Sequence, residues 1–211
     1  MHETGTEELR GQVEREFAEI KKGGELKLPK ADIRAIQTYF APPALKPRPE
    51  GDAAVAKAAA ENPGFAAWIG RNLQTHKNPD YASVTISLKG IGDVPGDISA
   101  EQMEAVADIA ERFAFSEIRV SHEQNLVLPH VARADLKRVY DCLVEIGLAT
   151  ANAGLVTDII ACPGLDYCAL ANARSIPVAQ QIATRFAEPA RQEDIGDVKI
   201  KISGCINACG H

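Results

Sequence analysis

Ile118-Arg119-Val120-Ser121-His122-Glu123-Gln124-Asn125-Leu126-Val127-Leu128 reads as two strands joined by a turn. Ile118 and Val120 alternate with polar neighbours, a turn falls near Glu123, and Asn125 to Leu128 returns as the second strand. The flanks extend the pattern on both sides. Before it, Val84, Ile86 and Leu88 alternate as a half-buried strand. Ser99 with Gln102 then makes a capping box, opening a helix that carries Met103, Val106, Ile109, Ala110 and Phe113 on one face. After it, a second helix carries Leu136, Val139, Tyr140, Leu143 and Ile146 and stops at Gly147. Val156 to Ile160 forms a final apolar strand running into Cys162. The order βαββαβ predicts an α+β fold with a ferredoxin-like sandwich over residues 65–160. A strand end then delivers the first of a set of cysteines to a loop, where sites are built on a rigid scaffold.

Four of the five cysteines lie in Ala161-Cys162-Pro163-Gly164-Leu165-Asp166-Tyr167-Cys168 and Ser203-Gly204-Cys205-Ile206-Asn207-Ala208-Cys209-Gly210-His211. Such pairs converge four thiolates on one centre if the segment between them folds back. The first pair is spaced more widely than the knuckles of structural zinc sites, which disfavours zinc. A 4Fe-4S cube is larger, and with four thiolates it carries a net charge of about −2. Gly164, Gly204, Ala208 and Gly210 would let backbone N–H groups approach such an anion. Asp166 to Arg174 reads as a short helix whose positive end points at the same place. Spacing and surroundings favour an iron-sulfur cluster, with zinc and unligated core thiols as the alternatives.

The two cysteine pairs, closed by Ser-Gly-Cys-Ile-Asn-Ala-Cys-Gly-His, resemble the sirohaem and 4Fe-4S motif of the nitrite and sulfite reductase family. The resemblance extends through 118–128, which looks like the family's repeated half-domain, and Phe65, Trp68 and Asn72 fit its lead-in. It implies Cys162, Cys168, Cys205 and Cys209 as cluster ligands, with Cys209 shared as the axial ligand of the sirohaem iron. Asn207, between two of these cysteines, would orient the loop or donate towards cluster or haem, with backbone stabilisation of the turn as an equal alternative. The implied reaction is the six-electron reduction of sulfite to sulfide, with reduction of nitrite to ammonia as the alternative. The implied donor is a separate ferredoxin or flavoprotein reductase, since the sequence has neither a nucleotide-binding Gly-rich fingerprint nor a second cysteine set.

The family carries two such half-domains, and this one resembles the second. The resemblance therefore implies a piece of a longer enzyme, lacking the first half-domain and the remainder of an α/β cluster-binding domain that begins at residue 161. Sulfite and nitrite are anions, so a complete pocket needs convergent cationic groups. No such set is evident here: Arg119, Lys199 and Lys201 read as solvent-facing strand residues. An inactive fragment and a zinc-bound structural module are the readings from other classes. A cobalamin-pathway relative with the same cluster arrangement also stays open.

The rest of the chain reads as scaffold. Residues 1–40 carry two amphipathic stripes, Leu9, Val13, Phe17 and Ile20, then Ile33, Ile36 and Phe40. They predict a helical hairpin docked on a larger body. Residues 41–64 begin as a proline-rich extended linker and continue into an alanine-rich helical turn, Ala53 to Glu61. At 211 residues, 45% hydrophobic and 25% charged, the composition is that of a soluble globular chain. A net charge of −6 argues against a nucleic-acid partner. The chain has no apolar run of spanning length, and it opens on the acidic Met1-His2-Glu3-Thr4 where a basic leader would stand. With clustered cysteines in odd number, this predicts the cytoplasm. Cys142 reads as a buried hydrophobe, and His122 and His130 as turn or surface residues. His211 falls close enough to Cys209 to approach the site. Ser175 reads as the N-cap of a scaffold helix running to Phe186, with Pro177 in its first turn.

Overall fold

Apolar periodicity underlies the longer helices and the strand β2 (Tyr81–Ile86) of the computed structural model, which describes residues 4–24 and 26–211. The acidic opening at residues 1–3 lies outside the described residues. The chain divides into two units, Met1–Leu45 and Lys46–His211. In the first, helices α1 (Thr6–Gly23) and α2 (Lys30–Tyr39) form where the two stripes predict them, and neither has a buried residue. Gly24, in the left-handed conformation at φ 78°, ends α1 with its N–H on the Lys21 carbonyl.

The second unit opens with the far end of the proline-rich stretch pinned down. Lys46 exchanges two hydrogen bonds with the Tyr81 hydroxyl, accepted at 3.0 Å and donated at 3.2 Å, and the Arg48 N–H donates to Asp80. Helix α3 (Gly51–Glu61) follows, and then α4 (Pro63–Asn72), capped by Asn62 with proline in its first turn. Helix α4 buries Phe65, Trp68 and Asn72, one helical face, and both rings meet Tyr140 with centroids 5.5 and 5.4 Å away.

Strands β1 (Leu73–Thr75), β2 (Tyr81–Ile86), β3 (Arg119–Val120) and β4 (Leu126–Ala132) form one antiparallel sheet in the order β1-β2-β4-β3. Helices α5 (Ala100–Phe113) and α6 (Leu136–Glu145) bring Val106, Ile109, Leu136, Val139 and Leu143 into its core with Val84, Ile86 and Leu128. The Ser99–Gln102 capping box is fully formed. Gly147, at φ 74°, stops α6 as expected, and the Leu148 N–H returns to the Leu143 carbonyl. The α+β, ferredoxin-like class therefore holds.

The last strand of the predicted order behaves differently. Only Ile160–Ala161 is extended (β5), and it pairs in parallel with β6 (Lys201–Ile202), outside the main sheet. The edge beside β2 is taken by β1 instead, which at three residues is too short to show an alternation. Helix α7 (Ser175–Arg185) packs on β5, burying Ala179 and Ala183 beside Ile159 and Ala161 in a second small core, and α8 (Pro189–Ile195) follows. Between β2 and β4 the register slips at Ser83, opposite Pro129 and His130. Proline has no N–H for the ladder, and the Ser83 hydroxyl donates to its carbonyl at 2.9 Å.

Candidate metal centre

Parallel pairing of β5 with β6 sends the two cysteine loops out of the same sheet end. Ile160 and Cys162 donate to the carbonyls of Ile200 and Ile202, each at 3.0 Å, so Cys162 and Ser203 leave side by side. The loops are then tied together beyond the strands. Asn172 and Ala173 both donate to the Gly204 carbonyl, at 2.8 and 3.0 Å, and Leu165 donates to Ala173. A Cβ on Gly204 would stand 2.7 Å from the Ala173 oxygen and 3.1 Å from the Gly164 Cα. Glycine at 204 is what permits this approach.

These cross-links replace the helix expected over Asp166 to Arg174. Only a single 3-10 turn forms, Gly164–Asp166, because the donors of Leu165, Asn172 and Ala173 go to other segments and not to an i→i−4 ladder. Asp166 is instead paired with the Arg174 guanidinium, whose Nε lies 3.0 Å away. Ser175 is not a cap either: Arg174 holds the cap position, and the buried Ser175 hydroxyl lies 3.2 Å from the Cys162 Sγ.

Cys162 has the most ordered surroundings of the four thiols. Gly204 donates its N–H to the sulfur at 3.0 Å. The Ser175 hydroxyl, and then the N–H groups of Gly204 and Gly164, hold the thiol below its usual pKa against the opposing effect of burial. Sulfur so surrounded is suited to the thiolate state that a metal requires. Gln124 fixes the approach to it: its amide donates to the Ala161 carbonyl at 2.9 Å and accepts from the Ala161 N–H at 3.0 Å. Gln124 thus serves as a side-chain strand for the residue before Cys162, from a backbone held at φ 58°.

The other three thiols are less enclosed. Cys168 and Cys205 are half-buried and Cys209 is exposed. Among the described residues, no group of three or more His, Cys, Asp or Glu side chains converges to hold a metal ion. The backbone brings the loops together and readies one sulfur; it does not by itself gather the four. Donor chemistry and the glycine cradle both fit a thiolate-held cluster.

The remaining predicted positions fall as follows. Asn207 is exposed on the second loop, and the His211 Nδ1 lies 3.0 Å from the Ser203 hydroxyl. Lys201 is exposed, and Lys199 reaches Glu123 at 3.2 Å. Burial pushes the Glu123 carboxyl up, but Lys199 and His122 together bring it below its usual range. Arg119 pairs with Glu117. Cys142 is half-buried against the main core. His130 is not a turn or surface residue: it lies in β4 with its side chain 13% exposed and bonded to His76.

Sequence reasoning missed the polar core beneath the site. Lys89 is buried, and its ammonium donates to Asp158 and Asn125, each at 2.9 Å, and to the Glu123 carbonyl. Asn125 also donates to Asp158, and Asn152 links the Lys89 carbonyl to Thr157, which donates to Gln192 on α8. A chain from the β3–β4 turn to α8 is thereby closed. Nothing in the local pattern around Lys89 distinguished it from a surface lysine.

Residues 74–146 match the sequence pattern of the nitrite/sulfite reductase ferredoxin-like half domain. A chloroplastic ferredoxin–nitrite reductase of Zea mays is 30% identical over 131 residues, covering 59% of this chain and 22% of that one. A sulfite reductase [ferredoxin] 2 of Mycolicibacterium paratuberculosis is 30% identical over 128 residues, covering 59% and 23%. The chain thus spans less than a quarter of the length of either relative. Among solved structures, the NirA protein of Mycobacterium tuberculosis superposes with a TM-score of 0.53 at 24% identity, covering 67% of this chain and 25% of that one. That likeness concerns the fold. No helix among the described residues is long and apolar enough to cross a membrane.

Proposed function

We propose, from a chain whose residues 74–146 are a nitrite/sulfite reductase ferredoxin-like half domain, that it contributes the cluster-binding cysteines of a sirohaem-dependent sulfite reductase. In this reading the half-domain 65–160 supports the cluster-bearing stretch 161–211. Cys162, Cys168, Cys205 and Cys209 hold a 4Fe-4S cluster, and Cys209 is shared with the sirohaem iron. When bound, the cube relays single electrons and the haem iron supplies the centre at which sulfite is reduced to sulfide. The observation that carries the reading is the preparation of Cys162, whose sulfur accepts the Gly204 N–H and lies 3.2 Å from the Ser175 hydroxyl at the point where the two loops meet.

The chain's own residues do the positioning. Gln124 holds Ala161, Gly204 admits the first loop against the second, and Asn207 stands between two of the proposed ligands. Electrons would come from a separate ferredoxin or flavoprotein reductase. Free thiols of this kind suit a reducing compartment such as the cytoplasm. Nitrite is the second substrate reading, favoured by an identity to the Zea mays nitrite reductase equal to that of the sulfite reductase.

The test is iron, acid-labile sulfide and zinc content of protein purified without oxygen. About four irons and four sulfides per chain are expected. Zinc in their place, retained after anaerobic reconstitution with iron and sulfide, would defeat the proposal. The Cys209→Ser variant should lose spectroscopic coupling between cube and haem once both are loaded. Comparing kcat/KM for sulfite and nitrite with one reduced donor then separates the two substrates.

A further inference from the structure

A second grouping of metal-type donors lies on the half-domain itself, apart from the cysteines. His76 follows β1, and His130 sits where β4 slips its register against Ser83. That irregularity brings two imidazoles together across 54 residues of sequence: the His76 Nε2 stands 3.0 Å from the His130 Nδ1, with the rings at 82°.

Each ring also has a partner for its far nitrogen. The His130 Nε2 faces the Glu117 carboxylate at 3.6 Å. The His76 Nδ1 has both backbone polar groups of Asn78 in reach, the N–H at 2.9 Å and the carbonyl at 3.1 Å. The N–H satisfies one neutral tautomer of His76 and the carbonyl satisfies the other. Metal-bound histidines characteristically donate their other N–H to a carboxylate or carbonyl, which fixes the tautomer. His76 has such an acceptor in the Asn78 carbonyl, and His130 faces the Glu117 carboxylate at 3.6 Å, a charge contact longer than a hydrogen bond.

We propose that His76 and His130 chelate one late first-row divalent ion, of the class Zn²⁺, Ni²⁺ or Cu²⁺, between the facing nitrogens. Two nitrogens at about 2.05 Å from a metal stand roughly 2.9 Å apart at right angles and roughly 3.3 Å apart at tetrahedral corners. The observed 3.0 Å falls within that interval. In the metal-free state the two nitrogens share one proton. On binding, His76 moves its proton from Nε2 to Nδ1, giving up the bond from the Asn78 N–H for one to the Asn78 carbonyl, and His130 keeps its proton on Nε2 facing Glu117. Neutral rings therefore take the ion without net release of a proton. Burial, opposed by Glu117 and reinforced by His76 and Arg119, holds His130 below its usual pKa. Water completes the coordination. The ion would clip the loop after β1 to β4.

The test is a Zn²⁺ titration of the full chain, followed by calorimetry and by NMR of ¹⁵N-labelled histidine rings. Wild type should bind one more equivalent than His130→Gln or His76→Gln, whatever the thiols take up in all three. The ring nitrogens of His76 and His130 should shift together. Glu117→Gln, which removes no ligand, should weaken this one site about 10–100-fold. Equal stoichiometry in wild type and variants overturns the proposal. Should the histidine variants fail to fold, unshifted His76 and His130 rings in zinc-saturated wild type overturn it equally.

Discussion

The Lys89 ammonium and the Asp158 carboxylate are 2% and 7% exposed, so the two groups form a buried pair. Burial makes the lysine harder to protonate, and Asp158 opposes that effect. Removing one partner is therefore worse than removing both. Lys89→Met should destabilise by about 3–5 kcal/mol, and Lys89→Met with Asp158→Asn by clearly less. Urea unfolding of the two variants checks this; a double variant no better than the single would contradict it. Gly204→Ala tests the other close contact. Its Cβ would meet backbone, which cannot swing aside, so a loss of about 1–3 kcal/mol is expected together with reduced iron uptake. The positions of the cysteines and of the glycines beside them were legible in the sequence. The partners of Cys162 were not: Ser175 reads locally as a cap, and only the path of the loop turns its hydroxyl to the sulfur.

Among the elements, helices with strong local signals announced themselves and short strands did not, and the helix expected over Asp166 to Arg174 did not form. Helix α5 has a capping box and α6 a glycine stop, both complete within a few residues. Strands β5 and β6 have two residues each, and their pairing spans 41 positions of sequence from Ile160 to Lys201. The cysteine loops depend on that pairing, and so does the placing of α8. Arg71 of α4 reaches Glu193 on α8 with its Nε at 2.9 Å, and Asp197 at 2.9 Å. The guanidinium holds the Glu193 carboxyl below its ordinary range. A lowered carboxylate pKa contributes stability above the unfolded value and loses it as pH falls through the folded one. Wild type should therefore exceed Glu193→Gln by about 0.5 kcal/mol at pH 7, a small amount because Glu193 is half exposed and screened. In thermal unfolding the two should become indistinguishable once acid has protonated that carboxyl; a difference that persists there would exclude the linkage.

At the scale of the whole molecule, the division at Leu45 and Lys46 separates two helices with no buried residue from a unit that contains both cores. Little apolar burial is at stake in the first. Residues 46–211 alone should unfold cooperatively with a Tm within about 4 °C of the full chain, since about 1 kcal/mol moves a unit of this size by no more than that. Calorimetry of the shortened chain decides, and a collapse of the transition would show that the first unit carries stability its exposure does not suggest.

Caps and apolar periods act within a window of about ten residues, and these the sequence by itself determined: the helices α1, α2, α3, α5, α6 and α7 and the hairpin at 118–128. Four outcomes were decided only by the tertiary structure. Strand β1 and not β5 closes the main sheet, Gln124 serves as a strand for Ala161, Lys89 lies under the site, and His76 meets His130. Each depends on contacts between residues far apart in the chain, where the free energy of burying many groups at once outweighs local preference. No local period records such a choice.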